Sequence, residues 1–505
     1  MTRDVVEKIP FEEALDRTGY GPYNYFQTAT TGLAIVAYAL VGFSGTMVVP
    51  TSACELGTTH AQQGILAAIP FIGYIMGGVV WGYLGDTRGR RHMLLVSLSL
   101  AIFFNTLVSL SVNWIMMLVL QFLTTIVSTG QYTLAVTLLS ESAPMAKRNL
   151  VMLLVASTYI LSTAAMSGIA IPIIPLKFSY SIPFLGIFWN SWRTLVLVYS
   201  APCVLCLLCV LCLHESPKFL LLKGEEEKAM KILRSIHRIN HRNSEEKFQV
   251  TGVLPEQNNT TGLEKSRMDI ILPLIKTPLL KYTIGLTVLS LCNQISPFII
   301  WFPKIANQFV NIIQNGDGAN QNLCGIIENK DTVLSNIDAA PCSLNVPSLL
   351  ITIGLSFLTS AGNLILCLVV NYTGRRNLVI FLTLALGVCG VATNLVHNAY
   401  GSGVLFLIFC FGLVINGLYL AMAVAFFPTS VRATAVAFVG TLGGVAKFAG
   451  TQILNLLLQN HCEAGFYIFG SLFAFSAIVA LFLPDDRMVV KAAPQKKPFD
   501  CEKTS

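Results

Sequence analysis

One basic residue of the chain, Lys447, lies in the middle of a long apolar stretch, within the sequence Gly-Gly-Val-Ala-Lys-Phe-Ala-Gly at 443–450. None of the 26 Asp and Glu residues lies well inside a comparable stretch, so no acidic side chain at a similar depth is expected to neutralise it. If these stretches cross a membrane, a mid-depth ammonium costs at least about 2–3 kcal/mol and is by default a candidate for function. We therefore expect Lys447 to contact the substrate and to favour an anion or a carboxylate. The alternative is a lysine that snorkels or sits neutral in a polar crevice.

Amide side chains in other apolar stretches are further candidates for substrate binding. They are Asn293, Gln294, Gln131 and Asn416, with Asn363 as a fifth amide of the same kind. Polar groups in hydrocarbon face either partners on other helices or a cavity. Asn293 and Gln294 are the strongest pair, because Pro297 follows and a proline can interrupt a helix and open backbone groups to a ligand. The alternative for each amide is a hydrogen bond that joins two helices.

The composition shows what kind of element must position these residues. Of 505 residues, 54% are hydrophobic and only 12% are charged, against about 25% charged in soluble domains. Stretches of about 20 apolar residues are long enough to cross a bilayer as helices. Twelve such stretches run roughly over 29–49, 65–84, 93–111, 114–138, 150–172, 195–213, 282–302, 347–370, 377–396, 401–424, 433–456 and 464–484. The sequence predicts an all-α membrane protein with twelve transmembrane helices.

Charge placement predicts the topology. Most of the 33 Lys and Arg residues fall in the segments on the side of the N-terminus, which the positive-inside rule assigns to the cytoplasm. We expect both termini to be cytoplasmic, in the plasma membrane or an intracellular vesicle. The net charge of +7 is therefore topological and does not indicate nucleic-acid binding. The predicted parts are an N-terminal segment 1–28, a six-helix bundle 29–213, a central loop 214–281, a second bundle 282–484 with an outer loop 303–346, and a tail 485–505.

Two motifs recur in both halves at nearly the same spacing. In the first half they are Gly82, Asp86, Gly89, Arg90 and Arg91, followed by Glu141, Pro144 and Arg148. In the second half they are Gly374, Arg375 and Arg376, followed by Pro428 and Arg432. Gly89 to Pro144 is 55 residues and Gly374 to Pro428 is 54. This repetition indicates two related bundles around a central site, which is a common plan among transporters.

The charged residues of these motifs suggest a gate. Opposite charges at helix ends can join two helices in one state and release them in another, with about 0–1 kcal/mol for each exposed pair. The alternative is that they are membrane anchors which follow the general charge bias. Gly89 and Gly374 suit tight turns with positive φ.

The cysteines predict disulfides and no metal site. Cys324 and Cys342 lie in the predicted outer loop, so we expect them to form a disulfide, and Cys54 with Cys462 is a weaker second pair. No spacing of His, Cys, Asp or Glu predicts a metal centre, and no catalytic or nucleotide-binding motif is present. The sequence predicts neither a cofactor nor an enzyme.

The twelve spans, the long central loop and the run Gly-x-Leu-x-Asp-x-x-Gly-Arg-Arg at 82–91 resemble the major facilitator superfamily. Trp192-Arg193 and Glu-Ser-Pro-Lys-Phe-Leu at 215–220 are similar to marks of its sugar-porter and organic-ion branches. The segment 11–21 resembles the opening of proteins related to synaptic vesicle glycoprotein 2. The resemblance implies two bundles that rock to expose a midplane site alternately to each side.

Three positions depart from the pattern of that family. Gln121 stands where the family has an arginine on the fourth helix, while Asn371 and Ala425 stand where the second half would have acidic residues. The charge cluster is thus complete in the first half and neutral in the second, so either gating is asymmetric or selection for cycling has weakened.

Two hypotheses about function remain open from the sequence. The first is a secondary active transporter of a small organic solute, which Lys447 predicts to be an anion, that works by alternating access with or without a coupling ion. The second is a transporter-shaped binding or vesicle-trafficking protein without transport activity. The lipid bilayer is a partner in both, and neither implies an oligomer.

Overall fold

The computed structural model describes residues 8–241, 248, 250, 252–254, 276–277, 279–315, 321–328, 344–427 and 429–484. Within these ranges, twelve helical segments are long and apolar enough to cross a membrane, which confirms the predicted number. They are Pro22–Leu56, His60–Arg88, Arg90–Ser109, Trp114–Ser142, Leu150–Ala170, Ser191–Leu211, Leu279–Gln314, Val346–Val370, Arg375–Ala392, Ala399–Ala423, Thr434–Asn460 and Cys462–Leu481. The first segment begins at Pro22, seven residues before the predicted start, because Pro22 starts a helical turn that the polar residues after it continue.

The elements of the first half are β1 (Lys8–Pro10), α1 (Phe11–Asp16), α2 (Pro22–Gly42), α3 (Gly45–Leu56), α4 (His60–Arg88), α5 (Arg90–Ser109), α6 (Trp114–Ser142), α7 (Met145–Ala170), β2 (Tyr180–Ile182), β3 (Ile187–Trp189), α8 (Ser191–Val198) and α9 (Ala201–Leu211). The central segment contains α10 (Pro217–Leu222), α11 (Glu226–Asn240) and β4 (Gly252–Leu254). The second half contains α12 (Leu279–Cys292), α13 (Ile295–Asn315), α14 (Leu323–Glu328), α15 (Val346–Thr373), α16 (Arg375–Ala392), α17 (Ala399–Cys410), a 3₁₀ turn (Phe411–Val414), α18 (Ile415–Phe426), α19 (Thr429–Asn460) and α20 (Cys462–Leu481).

Several membrane-spanning segments are interrupted near their middle. The first segment of each half breaks in the same way, between α2 and α3 at 43–44 and between α12 and α13 at 293–294. The segment formed by α17 and α18 contains the 3₁₀ turn. Pro297 lies in the first turn of α13, where its missing N–H costs little, so the interruption that Pro297 suggested is confirmed at Asn293 and Gln294. Such discontinuous helices at mid-membrane are typical of solute sites in transporters.

The repeated motifs form the same turn in each half. Gly89 and Gly374 have φ angles of 103° and 79°, which confirms the positive φ expected of them. Arg91 donates to the carbonyls of Val210 at 3.1 Å and of Leu211 at 2.8 Å, at the end of α9. Arg376 donates to the last carbonyls of α20 in the corresponding way. Each arginine thereby adds hydrogen bonds to the carbonyls at a helix end and complements the negative end of the helix dipole.

The two six-helix bundles meet along α4 with α19 and along α7 with α15. We call the membrane face at which α2, α5 and α16 begin the N-terminal face, and the other the opposite face. Asn455 donates to the carbonyl of His60, the first residue of α4, at 2.8 Å. A Cβ atom at Gly64 would lie 2.6 Å from the amide nitrogen of Asn455, so glycine permits the close approach of α4 and α19 here. Nearer the membrane centre, Asn363 of α15 donates to Ser157 of α7 at 3.3 Å. The bundles are therefore joined at the middle and at the opposite face.

A small cap lies on the N-terminal face. Strand β1 pairs in parallel with β4 of the central segment. Apolar side chains of β1, α1 and β4 pack with those of α11 in a core of Ile9, Phe11, Ala14, Leu15, Met230, Leu233, Val250 and Val253. The cap therefore joins the N-terminal segment to the central segment, a contact that the polar composition of either part did not predict.

The predicted start of the outer loop 303–346 is wrong, because α13 continues to Asn315. Pro303 and Lys304 suggested the end of the span. Apolar residues nevertheless recur at Ile305, Phe309 and Ile312. This is the spacing of a helix, so the apolar face of α13 continues beyond Lys304. Lys304 is consequently inside a membrane-spanning segment.

The predicted disulfide between Cys324 and Cys342 is also wrong. Cys324 is bonded to Cys462, with a Cα–Cα distance of 5.5 Å, and Cys342 lies outside the described residues. The physical reason is that α14 packs on the start of α20, where Asn322 donates to Glu463 at 3.0 Å. This packing brings together two cysteines that are 138 residues apart in sequence, whereas the prediction relied on proximity along the chain. Cys54 is also disulfide-bonded, so its suggested pairing with Cys462 does not occur.

The Cys324–Cys462 bond should stabilise the second bundle. We expect Cys324→Ser and Cys462→Ser each to lower stability by about 2–4 kcal/mol, which is typical of a disulfide that closes a long loop. Because both changes remove the same bond, the double variant should be no less stable than either single variant. Thermal unfolding of the detergent-purified proteins measures this, with Cys389→Ser as a control that removes a free thiol. Additive losses would show that the two residues act separately.

Candidate functional site

A cavity of about 320 Å³ lies between the two bundles near the middle of the membrane. It is bordered by helices of both halves and by two of the helix interruptions, through Phe43 and Leu413. The residues that line it are Tyr38, Phe43, Phe71, Tyr74, Tyr132, Tyr159, Leu286, Ser290, Ser296, Leu413, Asn416, Tyr419, Ala423, Val436, Val439, Gly440, Gly443, Gly444 and Lys447. A cavity of this size accommodates a small organic molecule.

Lys447 belongs to a short polar network on the second-half wall of the cavity, with Asn416 at its centre. Its ammonium donates to Oδ1 of Asn416 at 3.4 Å. The same oxygen accepts a hydrogen bond from Nδ2 of Asn293 at 2.9 Å, and Oδ1 of Asn293 is buried without a partner. Within the described residues, no carboxylate forms an ion pair with Lys447. The network therefore brings together three of the five residues predicted to bind substrate and leaves the positive charge without a counterion.

The first-half wall of the cavity is aromatic. Tyr38, Tyr132 and Tyr159 come from α2, α6 and α7, and their ring centroids lie 5.6–6.3 Å apart. Tyr74 of α4 and Phe71, one turn before it, extend this surface. The cavity thus has an aromatic wall on one side and a cationic, hydrogen-bonding wall on the other.

Sequence reasoning missed these tyrosines because they share the helical, apolar context of core residues. A weak signal was available, since a tyrosine buried in hydrocarbon needs a polar environment for its hydroxyl group. Tyr38, Tyr74, Tyr132 and Tyr159 lie on four different helices, so only the fold brings them together.

Of the predicted amides, Asn416 lines the cavity and Asn293 is connected to it through Asn416, whereas Gln131 and Gln294 lie elsewhere. Gln131 is buried between α6 and α9, and its amide contacts the thiol of Cys203 at 3.7 Å. Gln294 donates to the carbonyl of Leu291 at 2.7 Å and lies against Gly450 of α19. Gln131 therefore joins two helices, whereas the hydrogen bond of Gln294 stays within its own span and its Oε1 is buried without a partner. Asn363 likewise joins the two halves through Ser157.

The cavity extends toward the N-terminal face. On α19 its lining runs from Lys447 back to Val436, and on α18 it runs from Asn416 on to Ala423, both in the direction of that face. Toward the opposite face α4 and α19 approach closely, because Asn455 donates to the carbonyl of His60 and a Cβ atom at Gly64 would lie 2.6 Å from the amide nitrogen of Asn455. The structure is therefore closed at the opposite face.

The first-half gate residues form a network at the N-terminal face. The guanidinium of Arg90 donates to Asp86 at 2.9 Å and to Glu141 at 3.1 Å. Glu141 also accepts from Ser216 of the central segment, and Glu215 accepts from the backbone N–H of Arg91 at 2.9 Å. The network therefore connects α4, α5 and α6 to the start of α10.

Arg148 does not join this network. It donates to both carboxylate oxygens of Glu12 in α1, at 2.7 and 3.4 Å, and so attaches the cap to the start of α7. Pro144 directly precedes α7, and Gly82 faces open space on α4. A gating role for Arg148 stays a prediction, and it would act through the cap.

The second-half motif is held by backbone groups. Arg375 donates to the carbonyl of Ala421 at 2.9 Å, in the position that corresponds to Arg90. Pro428 and the side chains of Asn371, Ala425 and Arg432 lie outside the described residues. Gln121, at the third departure from the family pattern, is buried beside Gly45.

The two carboxylates that contact Arg90 differ in how far they are buried. The side chain of Glu141 is 14% exposed and that of Asp86 is 74% exposed. We expect Glu141→Gln to lower stability by about 1–3 kcal/mol, because it leaves a nearly buried arginine without its buried counterion. Asp86→Asn should cost at most about 1 kcal/mol, as exposed pairs do. Thermal unfolding in detergent compares the two variants, and equal losses would contradict this ranking.

Two family models match the chain. The model of the Major Facilitator Superfamily matches residues 31–312, and that of the sugar (and other) transporters matches residues 333–485. Synaptic vesicle glycoprotein 2A of Homo sapiens is 26% identical over 247 residues, which are 48% of this chain and 33% of that protein. Synaptic vesicle glycoprotein 2C of Mus musculus is 27% identical over 233 residues, 46% of this chain and 32% of that protein. The chain thus spans about a third of the length of these curated relatives.

Two solved structures share the fold. The partially occluded inward-open conformation of the xylose transporter XylE from E. coli has a TM-score of 0.66 at 16% identity, and it covers 92% of this chain and 99% of that chain. A D-xylose-proton symporter has a TM-score of 0.64 at 15% identity, with the same coverage of both chains.

Proposed function

The chain belongs to the major facilitator superfamily, and from this we propose that it is a secondary transporter of a small organic anion that works by alternating access. The observation that carries the proposal is the ammonium of Lys447 in the central cavity, with Asn416 as its hydrogen-bond acceptor and, among the residues that the structure describes, no carboxylate lining the cavity. The rest of the proposal follows from the two walls of the cavity and from the contacts between the bundles.

The cationic wall selects the charge of the solute. Lys447 and the amide of Asn293 both donate to the single oxygen Oδ1 of Asn416, so each has donor capacity left. A carboxylate that enters the cavity would accept from the ammonium of Lys447, which lines it, and would supply the missing counterion. A cationic solute would be repelled by the positive charge, and a neutral solute would accept a hydrogen bond from it without the added attraction of opposite charge.

The aromatic wall selects the body of the solute. Tyr38, Tyr132 and Tyr159 offer ring faces and edges, and pairs of aromatic rings contribute about 0.5–1.5 kcal/mol beyond the area they bury. We therefore propose an anion with a planar apolar or aromatic body whose carboxylate faces Lys447. The xylose of the structural neighbours is the competing solute, since tyrosine hydroxyls can also bind a sugar.

The contacts between the bundles support one half of a transport cycle. The cavity extends toward the N-terminal face and is closed at the other, and we propose that the N-terminal face is cytoplasmic because the basic residues concentrate there. This conformation would then be inward-facing. In the other half of the cycle the bundles would separate along α4 and α19 at the opposite face. The membrane would be the plasma membrane or that of a vesicle.

Lys447→Gln should abolish the preference for anions. We expect benzoate and phenylacetate to raise the apparent unfolding temperature of the purified wild type, while tetraethylammonium does not, because a ligand of the folded state stabilises it. In Lys447→Gln we expect roughly 10- to 100-fold weaker carboxylate binding, since a charge-assisted hydrogen bond contributes about 1.5–3 kcal/mol. Uptake of the same compounds into proteoliposomes should fall in parallel.

The control is Lys281→Gln, which removes an exposed lysine at the start of α12 and should change neither binding nor uptake. Stabilisation by xylose alone, unchanged in Lys447→Gln, would contradict the anion and favour a sugar. Binding of carboxylates without uptake would favour the second hypothesis, a binding or trafficking protein with a transporter fold.

Tyr159→Leu should distinguish aromatic from aliphatic carboxylates. We expect benzoate binding to weaken about 2- to 10-fold and cyclohexanecarboxylate binding to change less, as the loss of one aromatic contact implies. Tyr159→Phe should retain benzoate binding. Tyr83→Leu, at an exposed position of α4, is the control. Equal losses for the two carboxylates in Tyr159→Leu would show that the tyrosine contributes shape and not aromatic character.

A further inference from the structure

A second lysine without a carboxylate partner lies where the two bundles meet, nearer the opposite face. Lys304 of α13 donates to Oε1 of Gln63 in α4 at 3.3 Å, so its hydrogen bond crosses between the halves. Its ammonium also lies 5.1 Å from the ring centroid of Trp301. Among the ion pairs that the described residues form, none includes Lys304. The proposed central site does not use this charge.

Other hydrogen-bond donors without acceptors accompany Lys304. Nε1 of Trp301 is buried without a partner, in a residue that is only 4% exposed. Nε2 of Gln452 in α19 is also buried without a partner, and its side chain lies against Gly64, next to Gln63. A buried donor without an acceptor costs about 1–3 kcal/mol. Lys304 therefore has two buried donors in its neighbourhood, Nε1 of Trp301 and Nε2 of Gln452, for which the described residues supply no acceptor.

Lys304 and Lys447 lie at different depths in the membrane, so the surroundings of Lys304 are separate from the central cavity. On α4, Gln63 lies at the level of Lys304 and Ile75 lies at the level of Gly444. These two residues of α4 are twelve positions apart. At 1.5 Å per residue this is about 18 Å along the helix. Lys447 lies one turn from Gly444 on the side of Lys304, which leaves about 13 Å along the helix between the levels of the two lysines. A small solute cannot contact both lysines at once, so each would act at a different stage.

We propose that Lys304, Trp301 and Gln452 form a second anion site, which opens when α4 separates from α13 and α19 and binds the carboxylate before it reaches Lys447. Separation would remove Gln63 and leave three donors facing water at the opposite face. An unpaired charge between the bundles is costly when they are closed, and it gains hydration or an anion when they open. This inference rests on the proposed transport of an organic anion.

The first test measures the local charge without any solute. A reporter cysteine at Gln452→Cys is treated from the opposite face of intact cells with an anionic reagent, 2-sulfonatoethyl methanethiosulfonate, and a cationic reagent, 2-(trimethylammonium)ethyl methanethiosulfonate. We expect the anionic-to-cationic rate ratio to fall at least about tenfold when Lys304→Gln or Lys304→Met is added, because a nearby unit charge acts on the two reagents with opposite sign. Lys304→Arg should retain the ratio.

Lys177→Gln, which removes an exposed lysine from the same face, should leave the ratio unchanged. An unchanged ratio in both Lys304 variants would overturn the proposal. So would a reporter that reacts with neither reagent, because the bundles would then not separate here. These outcomes do not depend on the solute, so they are distinct from a failure of the central anion site.

The second test separates the two sites by their kinetics. With benzoate, Lys304→Gln should raise the KM of uptake from the opposite face several-fold and leave the Kd of the purified inward-facing protein unchanged. Lys447→Gln should weaken both. If Lys304→Gln weakened the Kd as much as the KM, it would act on the central cavity and the proposal would be wrong.

Discussion

The positive charge of Lys447 is the constraint around which the rest of the molecule is arranged. An ammonium group between two helical bundles needs hydrogen-bond acceptors, water or a counterion. The protein supplies one acceptor, Oδ1 of Asn416, and shares it with Asn293. What remains is a cavity of about 320 Å³ that is open toward one face only. The charge is therefore stable only while the cavity admits water or an anion, which connects the cost of burial to the proposed function.

The helix interruptions explain how the backbone permits such a cavity. Asn293 lies in the interruption between α12 and α13, and Asn416 follows the 3₁₀ turn in the tenth span. In the corresponding place of the first half, Phe43 lies between α2 and α3. An interruption frees backbone groups from the helical ladder, and in a membrane these groups are tolerated only where protein or water satisfies them. The polar site and the interrupted spans thus require each other.

Much of this arrangement could be predicted from the sequence, and the rest depends on contacts that no local pattern encodes. Twelve spans follow from apolar length, and the positive φ angles of Gly89 and Gly374 follow from the repeated turns. Lys447 stood out because it is an isolated charge, and Asn293 and Asn416 because they are amides in apolar stretches. The tyrosine wall was not predictable, since it comes from four helices whose tyrosines look like packing residues. The pairing of Cys324 with Cys462 likewise depends on how α14 packs against α20.

The neutral second-half motif does not by itself imply a loss of cycling. In the first half, the buried Arg90 is satisfied by the carboxylates of Asp86 and Glu141. In the second half, Arg375 donates instead to the carbonyl of Ala421, in the last turns of α18, where the helix dipole is negative. A carbonyl at a helix end thus takes over part of the role of a carboxylate, and the turn at Gly374 keeps the geometry of the turn at Gly89. Within the described residues, the second half therefore keeps the turn and an arginine contact that joins α16 to α18.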